Sequence, residues 1–325
     1  MLVYVIRRLG QSLLVVLAMS TLVFLAIYAV GNPIDILANP DTDQAERDAI
    51  AHRLGLDLPL WAQFGRFLWN ALHGDLGRSF VYNESAVSVI LQRLPATMEL
   101  ALTALVFSIL IGVPLGILAG LKSNSWVGRS IMTGSILGFS LPNFWIGLML
   151  ILLFAVELRW LPAGGRGATV SVLGVPLALL TIDGLKHLIL PALTLALYKA
   201  ALVIRIAQAG TREVMLQDYI RFARAKGLSA TRIVGVHVLK NIMIPVVTVI
   251  GLELGSMIAF AVVTETVFAY PGMGKLLIDS IGRLDRPIVV AYLVLAVVIF
   301  AGINLVVDLL YAAIDPRVRL SEVKG

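Results

Sequence analysis

Cysteine is absent from this 325-residue chain, which excludes a disulfide scaffold and any thiolate-ligated zinc or iron–sulfur centre. Histidine is almost as scarce. His52, His73, His187 and His237 are never four residues apart, and none sits in an H-E-x-x-H setting, so a histidine-built metal site lacks its usual pattern. Charge is thin too: 14% of residues are Asp, Glu, Lys or Arg, against about 25% in an average soluble domain. A phosphate loop is also missing. Its nearest approach, Ala269 to Leu276 (AYPGMGKL), has Ala where the first glycine belongs and Leu where the magnesium-binding Ser or Thr belongs. No G-x-S-x-G nucleophile elbow, internal repeat or low-complexity tract occurs. The chain by itself is expected to be neither a nucleotide hydrolase nor an enzyme of another kind.

What is present is apolar residue in long blocks. Hydrophobic residues make up 59% of the chain, and its mean hydropathy is +0.92. A bilayer core needs about 20 apolar residues as a helix, and lipid otherwise tolerates only a closed barrel. Barrel strands would alternate in short segments, whereas these blocks are unbroken. Six transmembrane helices are predicted, at about 9–30, 98–121, 131–156, 187–208, 244–266 and 288–313. The fold class is therefore an all-α integral membrane protein. The first block is longer than the ~7–15 residues of a secretory apolar region, so it reads as a retained helix. Residues 168–182 are apolar but short and interrupted by Gly174 and Pro176, which suits a loop or re-entrant element.

The formal net charge of +6 finds its explanation in where the bases fall. With the N-terminus in the cytoplasm, the inner segments carry Arg7, Arg8, Lys122, Arg129, Arg212, Arg221, Arg224, Lys226, Arg232, Lys240, Arg317, Arg319 and Lys324, opposed by Glu213, Asp218, Asp315 and Glu322. The outer loops are balanced, and the largest begins with Asp35, Asp41, Asp43, Glu46 and Asp48. The positive-inside rule then places both termini in the cytoplasm, and no nucleic-acid partner is needed to account for the bases.

Four regions follow: an N-terminus and first helix (1–30), a long external segment (31–97), a five-helix core (98–314) and a short cytoplasmic tail (315–325). The external segment offers a helix from Asp43 to Leu54, with Asp41 or Thr42 as N-cap and Gly55 as terminator. A second, amphipathic stretch runs from Pro59 to Leu72. Trp61 and Trp69 on it would either sit at the headgroup level or pack on the neighbouring loop. Within the core, residues 209–243 form the longest inner segment. There Tyr219, Phe222 and Ala223 recur at helical spacing and Arg221 and Arg224 share a face. Gly227 interrupts this helix and Ser229 is an N-cap for the next. A helix, glycine corner and helix result, which would either meet another protein closely through small residues Ala223 and Ala225 or rest on anionic lipid headgroups.

Ionisable residues inside apolar spans carry a cost of at least ~2.5–3.5 kcal/mol on insertion scales, so they should face protein or water. Lys199, Arg205, Glu253, Glu265 and Asp308 are of this kind. Glu253, Glu265 and Asp308 are candidates for a pathway or gate, with pairing between helices as the structural alternative. Arg205 has a further one in snorkelling to the inner interface.

The segment Asp218-Tyr219-Ile220-Arg221-Phe222-Ala223-Arg224-Ala225-Lys226-Gly227-Leu228 resembles the ATPase-coupling segment of ABC importer permeases, in the form of their dipeptide/oligopeptide/nickel branch. Gly74 to Ser79 (GDLGRS) is similar to that branch's external loop. Glu265 to Phe268 with Tyr270 to Gly274 resembles the exit from its fifth helix. Asn304 to Tyr311 with Asp315-Pro316-Arg317 resembles its C-terminal end. Together the matches span nearly the whole chain in order. They depart from the general permease pattern, which has Glu and Ala where Arg221 and Phe222 stand, and Ile and Pro where His237 and Lys240 stand.

The resemblance implies a type I ABC importer permease of the bacterial inner membrane, carrying di-/oligopeptides or similar small solutes. It implies that Asp218, Tyr219, Arg221, Ala223, Arg224, Ala225, Lys226, Gly227 and Leu228 contact a motor. Implied partners are a second homologous permease, two cytoplasmic ATPase subunits that bind ATP and magnesium, an external solute-binding protein and membrane lipid. No cofactor is expected in this chain. The competing readings are a proton-coupled secondary transporter using the buried carboxylates and a non-transporting membrane scaffold.

Overall fold

The computed structural model describes residues 2–29, 43–45, 48, 52 and 57–314. Most of the helix expected over Asp43 to Leu54, and the whole tail 315–325, lie outside the described residues. In chain order the helices are α1 (Leu2–Ala29), α2 (Leu60–Leu72), α3 (Ala86–Leu121), α4 (Trp126–Ser140) and α5 (Asn143–Leu150), which runs on as a π-helical stretch, Ile151–Glu157. Strands β1 (Val170–Val172) and β2 (Val175–Leu177) follow. Then come α6 (Ile182–Met215), α7 (Asp218–Ala225), a short turn Ala230–Arg232 leading through a π-helical stretch, Ile233–Val238, into α8 (Leu239–Val267), then α9 (Met273–Gly282) and α10 (Arg286–Ile314). Residues 1–92 with 277–325 form one compact unit and residues 93–276 another.

Among the described residues, five helices are long and apolar enough to cross a membrane, and a sixth span exists if the bent pair α4 and α5 crosses as one. The uninterrupted third span predicted over 131–156 is corrected here: the chain turns by 104° between Ser140 and Asn143. Pro142 is the cause. It has no N–H to donate to the helix, and it forces Leu141 before it into an extended conformation (φ −79°, ψ 137°). The apolar stretch 168–182 is a β-hairpin, with Val170 paired to Leu177 and Val172 to Val175. Leu173 and Gly174 both have positive φ (52° and 81°), as a two-residue hairpin turn of the I′ type demands. The inner segment expected over 209–243 begins as the last turns of α6, which continues to Met215.

In the first unit α1 lies along α10, and α2 folds back on α1, where the Phe24 ring meets Phe64 and Phe67 at centroid distances of 5.2 and 5.8 Å. The loop carrying the GDLGRS sequence is held by Asp285, which is fully buried. Its carboxylate accepts from Ser79 Oγ (2.5 Å), Phe80 N (3.2 Å) and Val81 N (3.3 Å). A buried charge is stable only when hydrogen-bonded in this way.

In the second unit α6 is the axis, packed by α8, α4 and α5. Against α3 its approach is closer still. Gly112, Gly116 and Gly120 face Val203, Ala207 and Thr211, and a Cβ added at these glycines would lie 2.6, 2.5 and 2.6 Å from the three opposing Cβ atoms. Helices in lipid associate through such small-residue stripes because apolar side chains gain nothing by leaving lipid tails. The bend between α4 and α5 leaves an apolar cleft of about 470 Å³, bordered by Leu115, Ser135, Trp145, Leu153, Leu197 and Ile204.

Candidate functional site

The inner segment is built on a rigid root. Ile220 and Ala223 of α7 are buried in a cluster with Val214 at the end of α6, Ile233 and Val238 in the π-helical stretch, and Ile242, Val246 and Ile250 of α8. Val113 of α3 and Val203 and Ala207 of α6 close the same cluster. A three-residue spacing thus fixes one face of α7, while Tyr219, Arg221, Phe222, Arg224 and Lys226 point outward. Phe222 is 61% exposed, and Lys226 Nζ stands 4.5 Å from its ring centroid. Arg221 makes a 3.4 Å contact with Asp218, both at the surface, so the pair contributes little to stability. The Tyr219 ring neighbours His237 at 6.3 Å.

Gly227 closes the helix. Its φ of +76° lets Leu228 N donate to Ala223 O (3.2 Å) and Gly227 N to Arg224 O (2.9 Å), the paired bonds of a Schellman cap. Ser229 then caps the next turn, its Oγ accepting from Arg232 N at 3.4 Å. The segment is a short helix set firmly between two long ones, presenting an aromatic and basic face.

The ionisable residues inside the spans separate into different environments. Lys199 on α6 pairs with Glu253 on α8; Lys199 Nζ donates to Glu253 Oε2 and to Ser256 Oγ at 2.8 Å. Ser256 Oγ itself donates to the same carboxylate oxygen at 2.6 Å. The Glu253 side chain remains 30% exposed. Glu265, by contrast, is fully buried. It accepts from Thr97 Oγ1 (2.6 Å) and Lys275 N (2.9 Å), and Thr97 Oγ1 accepts from Met273 N (2.8 Å). Gly272 leaves room for it, since a Cβ there would fall 2.2 Å from Glu265 Oε1. Glu265 thereby holds the Tyr270 to Gly274 turn after α8. Arg205 lies over the Phe139 ring at 5.3 Å. Asp308 belongs to α10, and its side chain lies outside the described residues.

Two residues that the sequence did not single out form a further buried charge site. Glu99 accepts from Arg166 Nη2 (2.6 Å) and from Ala178 N (2.6 Å) and Leu179 N (3.2 Å). It ties the hairpin and the loop before it to α3. The only local signal was a carboxylate just inside the second apolar block. Burial pushes the neighbouring Tyr270 phenol above its ordinary pKa, and Glu99 adds to the effect, so the phenol stays protonated at neutral pH.

Comparison with known proteins covers both halves of the chain. Residues 112–320 match the family described as binding-protein-dependent transport system inner membrane component, and residues 1–101 match its N-terminal region. The di/tripeptide transport system permease protein DppB of Pseudomonas aeruginosa is 39% identical, covering 98% of this chain and 99% of the relative. The dipeptide transport system permease protein DppB of Escherichia coli is 37% identical at the same coverage. The glutathione transport system permease protein GsiC of Escherichia coli is 40% identical, again at 98% and 99%. Among solved structures, an inward-facing MetNI methionine ABC transporter superposes with a TM-score of 0.55 at 17% identity, covering 70% of this chain and 96% of that one; this likeness shows the fold.

Proposed function

The chain belongs to the family of binding-protein-dependent transport system inner membrane components, and from that membership we propose that it carries small peptides by coupling through α7. It is a multi-pass protein of the bacterial inner membrane and the permease subunit of an ATP-driven importer. Its family works with ATPase and substrate-binding partners. The proton-coupled alternative raised by the intramembrane carboxylates is set aside on that ground.

The finer reading is ours. A second, similar permease completes the pathway, two cytoplasmic ATPase subunits bind ATP and magnesium, and an external binding protein delivers a di- or tripeptide. The observation that carries it is the construction of α7. Buried Ile220 and Ala223 weld it to α6 and α8, so a push on its exposed face moves two membrane helices. Residues Asp218 to Leu228 are the coupling surface, with Phe222 as the apolar anchor and Arg221, Arg224 and Lys226 around it. Exposed aromatic and arginine side chains are the types that dominate protein interfaces. Domain limits follow as 1–30, 31–97, 98–314 and 315–325.

The test is reconstitution of the complete transporter in liposomes with the partner subunits and a dipeptide. Phe222→Ala should leave the permease folded and assembled but lower ATP-driven uptake by tenfold or more, about the ~1.4 kcal/mol or greater loss typical of an interface anchor. Unchanged uptake in that variant would defeat the assignment of α7 as the coupling surface.

A further inference from the structure

Lys199 and Glu253 meet near the middle of two long apolar helices. Lys199 is the eighteenth of the 34 residues of α6, and Glu253 the fifteenth of the 29 residues of α8. A pair made only to join two helices would be expected to enclose both charges. Lys199 is enclosed, but the Glu253 side chain keeps 30% of its surface open. Both hydrogen bonds to its carboxylate end on Oε2.

The α8 surface around that opening carries a row of small and polar side chains. On α8 the incompletely buried residues include Asn241, Thr248, Ser256, Ala259 and Thr266, which recur seven, eight, three and seven apart and so share one helical face. Ile244, Val247 and Val263 lie among them. The Thr248 and Thr266 hydroxyls donate to the carbonyl four residues earlier, at 2.9 and 2.8 Å, and Asn241 Nδ2 does so with one of its two N–H groups at 2.6 Å, which leaves their oxygens and the second Asn241 N–H to water or a solute. Intramembrane ionisable groups beside such a face mark a solute route.

We propose that the Lys199–Glu253 pair is a binding site for the termini of a zwitterionic peptide in transit. Between substrates the two side chains neutralise each other. An entering peptide exchanges partners with them: its carboxylate takes the Lys199 ammonium and its α-ammonium takes Glu253, with Ser256 Oγ still donating to Glu253. Every charge is paired before and after, so the desolvation that makes a lone midplane charge costly is avoided at each stage. The site selects free termini over blocked ones, because a peptide lacking either charge would leave Lys199 or Glu253 unpaired. This inference rests on the peptide-permease reading above.

The absence of native cysteine makes the test clean for this chain. Ser256→Cys is introduced into the complete reconstituted transporter and treated with a charged, membrane-impermeant thiol reagent during ATP turnover. The thiol should react, and a saturating free dipeptide should slow the reaction, whereas its N-acetyl amide derivative should not. A thiol that never reacts would place the pair against lipid or protein and overturn the proposal. The doubly neutral Lys199→Met/Glu253→Gln variant leaves no buried charge unpaired. It should still co-purify with its partners yet lose free-dipeptide uptake by about tenfold or more, the loss expected of charge-assisted hydrogen bonds. Full uptake in that variant would mean the pair is only a helix tie. If the unaltered transporter shows no ATP-dependent peptide uptake at all, the peptide reading fails and the inference falls with it.

Discussion

A side chain added at Gly227 would touch nothing within 4 Å, yet the position tolerates few residues. Its constraint is the backbone: at φ +76° an L-residue brings Cβ against its own carbonyl, at a cost of roughly 1–2 kcal/mol. Gly227→Ala should therefore fray the end of α7 by about 1 kcal/mol, while Gly227→Asn, a residue at home in that conformation, should cost much less. Hydrogen exchange at Gly227 and Leu228 measures this directly, because their amides make the two closing bonds and lose protection as the cap opens. Equal protection in both variants would show that packing, not the cap, holds the corner. The cap could be read from Lys226-Gly227-Leu228-Ser229 because all its parts are local. Glu99 and Arg166 could not. They are 67 residues apart, and Arg166 alone looked like one more base in an outer loop.

At the scale of helices, the sequence reveals length and apolarity more easily than contact. The spans stood out because lipid imposes a composition on every residue of a crossing. The Leu141-Pro142-Asn143 break was visible too, but the hydropathy on either side outweighed it. Leu173-Gly174 likewise sat between Val-Ser-Val and Val-Pro-Leu as a hairpin signal that the neighbouring apolar residues obscured. The stripe Gly112, Gly116 and Gly120 was legible in principle as a four-residue repeat; which helix it would meet was not. Its energetic role is testable. Gly116→Leu must displace Ala207 Cβ at 2.5 Å and the Ile204 carbonyl at 2.7 Å, and backbone cannot move aside as a side-chain tip can. Overpacking of this kind costs about 1–3 kcal/mol, so the thermal midpoint of the purified transporter should fall. Gly138→Leu is the control, since a Cβ there meets nothing within 4 Å. Equal midpoints for the two variants would refute close α3–α6 packing as a source of stability.

For the molecule as a whole, the decisive asymmetry is one of charge. The end of α6, α7 and the start of α8 expose Arg212, Arg221, Arg224, Lys226, Arg232 and Lys240 against Glu213 and Asp218. The hairpin before α6 exposes Val170, Val172 and Leu173, the last at 100%. With α6 as one crossing between them, the two are expected on opposite sides of the membrane. Basic excess in short loops marks the cytoplasmic side, so the α7 segment is expected there, as the proposed coupling through it requires. Single cysteines at Arg224 and Leu173 resolve the orientation, because the chain has no cysteine of its own. In intact cells a membrane-impermeant thiol reagent admitted through the outer membrane should label Leu173→Cys and leave Arg224→Cys untouched; in inside-out vesicles the result should reverse. Labelling of Arg224→Cys from the outside would put the coupling surface on the face that has no ATP, and no arrangement of partner subunits could then drive this permease through α7.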